Sequence, residues 1–245
     1  MATAPAAVVP RVLLDDEQII VVDKPAGMPS VPARTPLDPP DVASELFRAG
    51  LIASPSGFPG AEAVHRLDRD TSGVLVLART RAARAALGRA FETRAVAKLY
   101  LAVVHGPIGP TGIVDLPLAD DPLRPPRKRV DPTFGRRATT RWMRMATIAD
   151  SAAARSLIAL EPWTGRSHQL RVHLAWIGAP IVGDRLYGPP RHGVTTPLAL
   201  HAAALEFPHP ADGRRVRVTA PVPEASPWRA FAPISLPAWG GAPSD

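Results

Sequence analysis

The chain contains no cysteine, which excludes disulfides and thiolate metal sites. Long hydrophobic runs are also missing: no window approaches about 18 uninterrupted apolar residues, the length a membrane-spanning helix needs. The first ten residues carry no basic segment and too short an apolar run for a signal peptide. A cytoplasmic protein is the expectation. Lysine is scarce, with only Lys24, Lys98 and Lys128 among 29 basic residues. Arginine suits forked recognition of phosphate and stacking on bases, but a compositional bias of the genome produces the same excess. Tyrosine occurs only twice, at Tyr100 and Tyr187.

What is present suits a globular protein. With 245 residues, of which 46% are hydrophobic, the chain can bury a sizeable core in one domain. The net charge of +7 is concentrated. Between Arg124 and Arg144 eight basic residues (Arg124, Arg127, Lys128, Arg129, Arg136, Arg137, Arg141 and Arg144) face one acid, Asp131, and the rest of the chain balances. Such density either attracts phosphate backbones or forms a solvated loop that aids solubility.

Hydrophobic patterning predicts strands at Gln18–Asp23, Val74–Ala78, Lys98–Val104, Thr139–Ile148, Ser156–Leu160, Leu198–Phe207 and Val216–Thr219. Lys24-Pro25-Ala26-Gly27 reads as a turn, and the prolines from Pro29 to Pro40 as an extended loop. Asp41 caps a short helix with Val42, Leu46 and Phe47 on one side and Gly50 as its stop. Thr80 caps a second helix bearing Ala83, Ala86, Leu87, Ala90 and Phe91, and Ser167–Ile177 is a third, closed by Gly178. The arm up to about Pro10 and the Pro/Ala-rich tail, residues 222–245, are expected to be loose. Strands dominate, several adjacent ones able to pair antiparallel, so the fold class is mixed α+β.

Two segments are dense in polar groups. His65-Arg66-Leu67-Asp68-Arg69-Asp70-Thr71-Ser72-Gly73 opens directly into an apolar strand, where catalytic groups can be held rigidly yet reach solvent. Spacing alone favours a plainer reading, a turn in which Asp68 or Asp70 pairs with Arg66 or Arg69. In Gly165-Arg166-Ser167-His168-Gln169-Leu170-Arg171-Val172-His173, Leu170, Leu174 and Ile177 share a helical face suited to the core, and His168 and Arg171 share another. An arginine there can keep a buried carboxylate ionised. His168 and His173 are in the wrong phase for two metal ligands on one face, and no metal is expected. Tyr100, in Lys98-Leu99-Tyr100-Leu101-Ala102-Val103-Val104, reads as a packed strand residue.

Together with Val21-Val22-Asp23-Lys24-Pro25-Ala26-Gly27-Met28, Pro180-Ile181-Val182-Gly183-Asp184-Arg185-Leu186-Tyr187 and Leu200-His201-Ala202, these segments resemble, in order and approximate spacing, the RluA-type pseudouridine synthases. The likeness runs from Val12 to about Pro221. It implies a mainly antiparallel β-sheet core with flanking helices, a catalytic domain over residues 11–221, and isomerisation of uridine to pseudouridine in structured RNA. It further implies that Asp68 is the essential aspartate, that Tyr100 packs on the target base, and that Arg171 is the cation paired with the aspartate. Arg66 would help fill the space left by a flipped uridine. His65, Thr71, Arg166, His168 and Gln169 join it as expected substrate-binding residues, and Arg124, Arg127, Lys128, Arg129, Arg136 and Arg137 as expected RNA contacts. The reaction is redox-neutral and needs no cofactor.

No additional N-terminal RNA-binding module is expected, and a monomer is. Val114-Asp115-Leu116-Pro117-Leu118 with the basic run resembles compact members acting on ribosomal and transfer RNA. Two rivals remain: a noncatalytic RNA-binding protein, and a hydrolase using Asp68 and Asp70 as a carboxylate pair, a pairing that their two-residue spacing does not guarantee.

Overall fold

The computed structural model describes residues 8–32, 39–149, 154–189 and 196–239. Most of the N-terminal arm, residues 33–38 of the proline-rich loop and the last residues of the tail, all expected to be irregular, lie outside the described residues. In chain order the elements are β1 (Arg11–Asp15), β2 (Ile19–Lys24), α1 (Val42–Arg48), β3 (Glu62–Ala63), β4 (Ser72–Ala78), α2 (Arg81–Glu92), β5 (Ala97–His105), β6 (Thr111–Asp115), β7 (Leu118–Asp120), β8 (Lys128–Val130), β9 (Thr139–Ile148), β10 (Arg155–Pro162), α3 (Gln169–Trp176), β11 (Leu200–Pro208) and β12 (Arg215–Thr219). A 3-10 turn follows at Trp228–Phe231. The stretch read as one catalytic domain is built from two compact units, Met1–Ala95 with Glu206–Ala220, and Val96–Leu205 with Pro221–Asp245.

In the first unit, β2 pairs antiparallel with β1 and β4, and β3 pairs antiparallel with β4. Ile19 to Val22 and Val74 to Ala78 are all buried, as their unbroken apolar runs predict for strands covered on both faces. The Thr80 side chain accepts from Ala83 N–H at 3.0 Å and caps α2, which buries Ala83, Leu87 and Ala90 and packs on β4. Asp41 likewise caps α1 through Ser44 N–H at 3.3 Å. Phe47, expected on the buried side of α1, is exposed: seven residues offer one apolar stripe, and Val42 and Leu46 fill it.

In the second unit, β10 pairs antiparallel with both β5 and β9, and β9 with β6. β7 and β8 form a separate short ribbon. The core gathers Leu99, Leu101, Val103, Ile158, Leu160, Leu170, Leu174 and Leu200, and α3 packs against β8, β9 and β10. That helix begins later than expected, because His168 precedes it in a left-handed conformation (φ 57°). Ile177 falls outside the helix and is part-exposed. The expectation of a loose tail is corrected over its described part: Trp228 and Phe231 are buried in this core, and Ile234, Leu236 and Trp239 pack against it. Their apolar area outweighs the irregular backbone that the prolines impose.

Candidate active site

The loop carrying Asp68 is tied down within the first unit. Leu67 is buried and serves as its anchor: Leu67 N–H donates to Ser30 Oγ at 3.0 Å, and the Ser30 hydroxyl donates back to Leu67 O at 2.9 Å. Thr71 N–H donates to Asp68 O at 3.0 Å, closing a turn around Arg69 and Asp70. Arg69 O accepts from Gly27 N–H at 2.9 Å, and Arg69 Nε donates to Gly27 O at 3.0 Å. Gly27 itself sits at φ +86°, where a side chain would be strained.

Beneath these loops lies a residue that the sequence did not single out. Lys24 is fully buried, and its Nζ donates to Pro25 O at 3.0 Å, Met28 O at 2.8 Å and Arg69 O at 2.9 Å. Burial draws its pKa down to about 8, against the opposing pull of the Asp70, Asp68 and Asp23 carboxylates. Asp68, half-buried, therefore lies in the field of a fixed ammonium group. The only signal for this in the sequence is a lysine ending a buried strand just before Pro25.

The other expected residues of this loop divide by exposure. Arg66 is exposed. His65 accepts from Val76 N–H through Nε2 at 3.2 Å and stacks on Phe91 with ring centroids 4.8 Å apart. Thr71 is buried, and its Oγ1 has no hydrogen-bond partner among the described residues.

In the second unit, Tyr100 sits on β5 opposite Leu160, part-buried against the core. Arg171, buried on α3, forms a forked ion pair with Asp184: Nε to Oδ2 and Nη2 to Oδ1, both at 2.8 Å. Asp184 Oδ1 also accepts from Leu186 N–H at 2.9 Å and Tyr187 N–H at 3.0 Å. Burial raises the Asp184 pKa, but the Arg171 guanidinium and these amides outweigh it and hold the carboxyl below its ordinary value. The Tyr187 ring lies under Arg171, 5.3 Å from its guanidinium carbon. Its hydroxyl accepts from Lys128 N–H at 2.7 Å and lies 2.7 Å from His168 Nδ1. Asp184 and Tyr187 thus orient Arg171 and His168, a task that the sequence signals only through their shared segment.

Gln169 is a latch. Its Oε1 accepts from Thr164 Oγ1 at 2.7 Å and Arg166 N–H at 3.0 Å, and its Nε2 donates to Thr139 O at 2.9 Å and Thr140 Oγ1 at 3.0 Å. These four bonds fill the capacity of the amide. His173 is fully buried, with Nε2 3.0 Å from Leu116 O and Nδ1 2.9 Å from Thr140 Oγ1, and burial lowers its pKa. Facing a carbonyl, Nε2 carries the proton, and the ring is neutral. Arg166 Nε donates to Arg137 O at 3.0 Å.

The basic stretch is less positive in space than in sequence. Arg124 pairs with Asp121 (2.9 Å), Lys128 with Asp120, Arg129 with Asp131 (2.8 Å), Arg137 with Asp115 (4.0 Å) and Arg141 with Glu161 (3.2 Å). Arg127 lies over the Tyr187 ring at 5.9 Å. The partners Asp115, Asp120, Asp121 and Glu161 all lie outside the window that showed the excess. Arg136 is exposed and has no acid partner among the described residues.

Residues 18–176 match the family model described as RNA pseudouridylate synthase. The chain is 42% identical over 212 residues to the dual-specificity RNA pseudouridine synthase RluA of Escherichia coli K12, covering 86% of this chain and 92% of that protein. It is 39% identical to ribosomal large subunit pseudouridine synthase D of Xanthomonas campestris, over 90% of this chain and 68% of that one. Among solved structures it resembles human RNA pseudouridylate synthase domain containing 1, with a TM-score of 0.73 and 27% identity, over 90% of this chain and 86% of that one. The mainly antiparallel strands and three helices are those of this fold, and the chain belongs to the RluA family of RNA pseudouridine synthases.

Proposed function

We propose that Asp68 is the carboxylate with which this isomerase converts uridine to pseudouridine in ribosomal RNA, transfer RNA or both. The observation that carries this reading is the immobilised loop: Asp68 is half-buried on a turn held by Ser30, Gly27 and the buried ammonium of Lys24. A reacting group gains most when its geometry is set before substrate arrives. The bond from ribose C1′ to uracil N1 breaks, the base turns, and a bond forms from C1′ to C5. N1 gains a proton and C5 loses one, so atoms and electrons balance without a cofactor. Ionised Asp68 acts as nucleophile on the ribose or as the base that removes a ribose proton.

Tyr100 packs on the target base and serves the proton transfer, and Arg171, by the family likeness, is the cation that serves the catalytic aspartate. A base in a stem must leave the stack before it reacts, and exposed Arg66 is suited to fill the space it vacates. Arg166 and His168 serve the substrate directly, whereas His65 and Gln169, held by their own contacts, and the buried Thr71 shape the loops that do. The exposed arginines around β7 and β8 bind the RNA backbone. The dual specificity in the name of the Escherichia coli relative supports more than one RNA substrate, and the name of the Xanthomonas campestris relative supports ribosomal RNA among them. We place the enzyme in the cytoplasm as a monomer, where such RNAs are found. Among the described residues no helix is long and apolar enough to cross a membrane.

The test is tritium release from unmodified ribosomal and transfer RNA labelled at C5 of uridine. Release by wild type and none by Asp68→Asn, with RNA binding kept, is the expected result. Release untouched by the substitution would sink the role given to Asp68.

A further inference from the structure

The two most exposed large hydrophobic side chains in the described residues, Leu123 (85%) and Phe134 (81%), both flank β8. Phe134 stands on a turn that cannot swing freely. The buried Asp131 accepts through Oδ1 from Thr133 N–H at 3.1 Å and Phe134 N–H at 2.9 Å, and through its carbonyl from Gly135 N–H at 2.9 Å. Asp131 N–H donates to Pro117 O at 2.9 Å, and Arg136 exchanges two backbone hydrogen bonds with Leu118, at 2.8 and 2.9 Å. A Cβ on Gly135 would come within 2.3 Å of Asp131 O and 2.7 Å of Pro117 C, so only glycine permits this closeness. The turn is built tightly, yet it holds its phenyl ring out in water.

A single exposed hydrophobe ordinarily needs no explanation. This one is an aromatic ring on a braced turn, two residues before the exposed Arg136 and three before the exposed Arg137. An aromatic face beside cations is the arrangement on which an unpaired base stacks while its phosphates meet arginine. We propose that Phe134 is a stacking platform for an unpaired base of the RNA substrate. This rests on the reading of the basic stretch as an RNA-binding surface, and adds to it a contact that is not ionic. Because every base has a π-face, the platform gives affinity and register on the RNA with little sequence preference.

The experiment compares wild type, Phe134→Ala and Phe134→Trp as full chains, on unmodified transfer RNA and ribosomal RNA transcripts. Filter binding, tritium release and 2-aminopurine placed singly at unpaired positions are the readouts. Phe134→Ala should weaken binding and raise KM roughly tenfold, with kcat held and the melting temperature unchanged. The dependence of Kd on salt should keep its slope, because no ionic contact is lost. Phe134→Trp should restore affinity, and one 2-aminopurine position should lose its fluorescence change in Phe134→Ala alone. Unchanged Kd and KM in Phe134→Ala would overturn the proposal while leaving the isomerase reading intact. So would a loss of kcat at constant KM, or self-association of the free enzyme that Phe134→Ala abolishes, which would assign the ring to a second copy of the chain. If wild type releases no tritium, the isomerase reading fails, and binding and fluorescence still decide the role of Phe134.

Discussion

Lys24 Nζ donates to the carbonyl of Arg69 at 2.9 Å, joining the end of β2 to the residue that follows Asp68 across 45 positions of sequence. The same nitrogen holds Pro25 O and Met28 O. One buried cation therefore ties the turn after β2 to the candidate catalytic loop, and both loops depend on its three N–H groups.

Lys24→Met should destabilise the protein by about 2–4 kcal/mol, because three carbonyls lose a charged donor while the replacement keeps the volume. Turnover should fall roughly tenfold or more as the Asp68 loop loosens. Wild-type stability should also carry a pH signature. Lys24 titrates near 8 when folded and at its ordinary 10.5 when unfolded. Below about 8 both states hold the proton and the burial cost is fully present. Between there and 10.5 only the unfolded state binds it, so this group makes stability rise with pH, by up to about 3 kcal/mol. Urea unfolding from pH 7 to 10.5 should show the rise in wild type and lose it in Lys24→Met. Parallel curves would refute the assignment.

The strands of the core could be read directly from the chain. Ile19 to Val22 and Val74 to Ala78 are unbroken apolar runs, and Thr80 with Leu87 announces α2, because those signals are local. β3, β7 and β8 are two or three residues long, too short to show a period. Trp228 lies in a segment whose prolines suggest disorder, and only its burial against distant strands overrides them. The site shows the same division. His65–Gly73 and Gly165–His173 stand out by polar density, whereas Lys24, Asp184 and Tyr187 act through contacts that no spacing rule encodes. The charge of the basic stretch is smaller in space than in sequence because four of the five acids that pair with it, Asp115, Asp120, Asp121 and Glu161, lie outside the stretch.

The Arg171–Asp184 pair allows structure and chemistry to be separated. Asp184→Asn should cost about 3–5 kcal/mol, since it removes the carboxylate of a buried, forked ion pair. In wild type the depressed Asp184 pKa makes its contribution present above the ordinary carboxylate value of 3.8 and lost as pH falls below it. The double variant Arg171→Met/Asp184→Leu should recover much of the stability but none of the turnover, because the cation proposed to serve Asp68 is gone. Thermal melts and tritium release on the three proteins check this. Turnover recovering together with stability would reduce Arg171 to a structural residue.

Gly112→Ala tests the edge of the second unit. A Cβ there would lie 2.6–2.7 Å from the Trp142 indole, which covers the glycine across the β6–β9 pair. The indole must shift, and overpacking of this kind costs about 1–3 kcal/mol. Denaturant unfolding should show that loss with the m-value unchanged. Gly88→Ala is the control, because nothing lies within 4 Å of its added Cβ and a half-buried helical position with open space around it gains from alanine.

Arg136 and Arg129 should differ as RNA contacts even though they are near neighbours in sequence. Arg136 has no acid partner among the described residues, so a phosphate that meets it gains a full charge and releases its counterion. Arg129 is held by Asp131 at 2.8 Å, and its positive charge is largely spent before RNA arrives. Arg136→Ala should weaken binding on all RNA sequences alike and reduce the slope of log Kd against log salt by about one. Arg129→Ala should change that slope less, and should instead lower stability by loosening the Asp131 turn. Binding titrations at several salt concentrations, with a melt for each variant, separate the two. Equal slope changes would mean that the Asp131 pair opens when RNA binds, and that the surface charge is set by the complex rather than by the free enzyme.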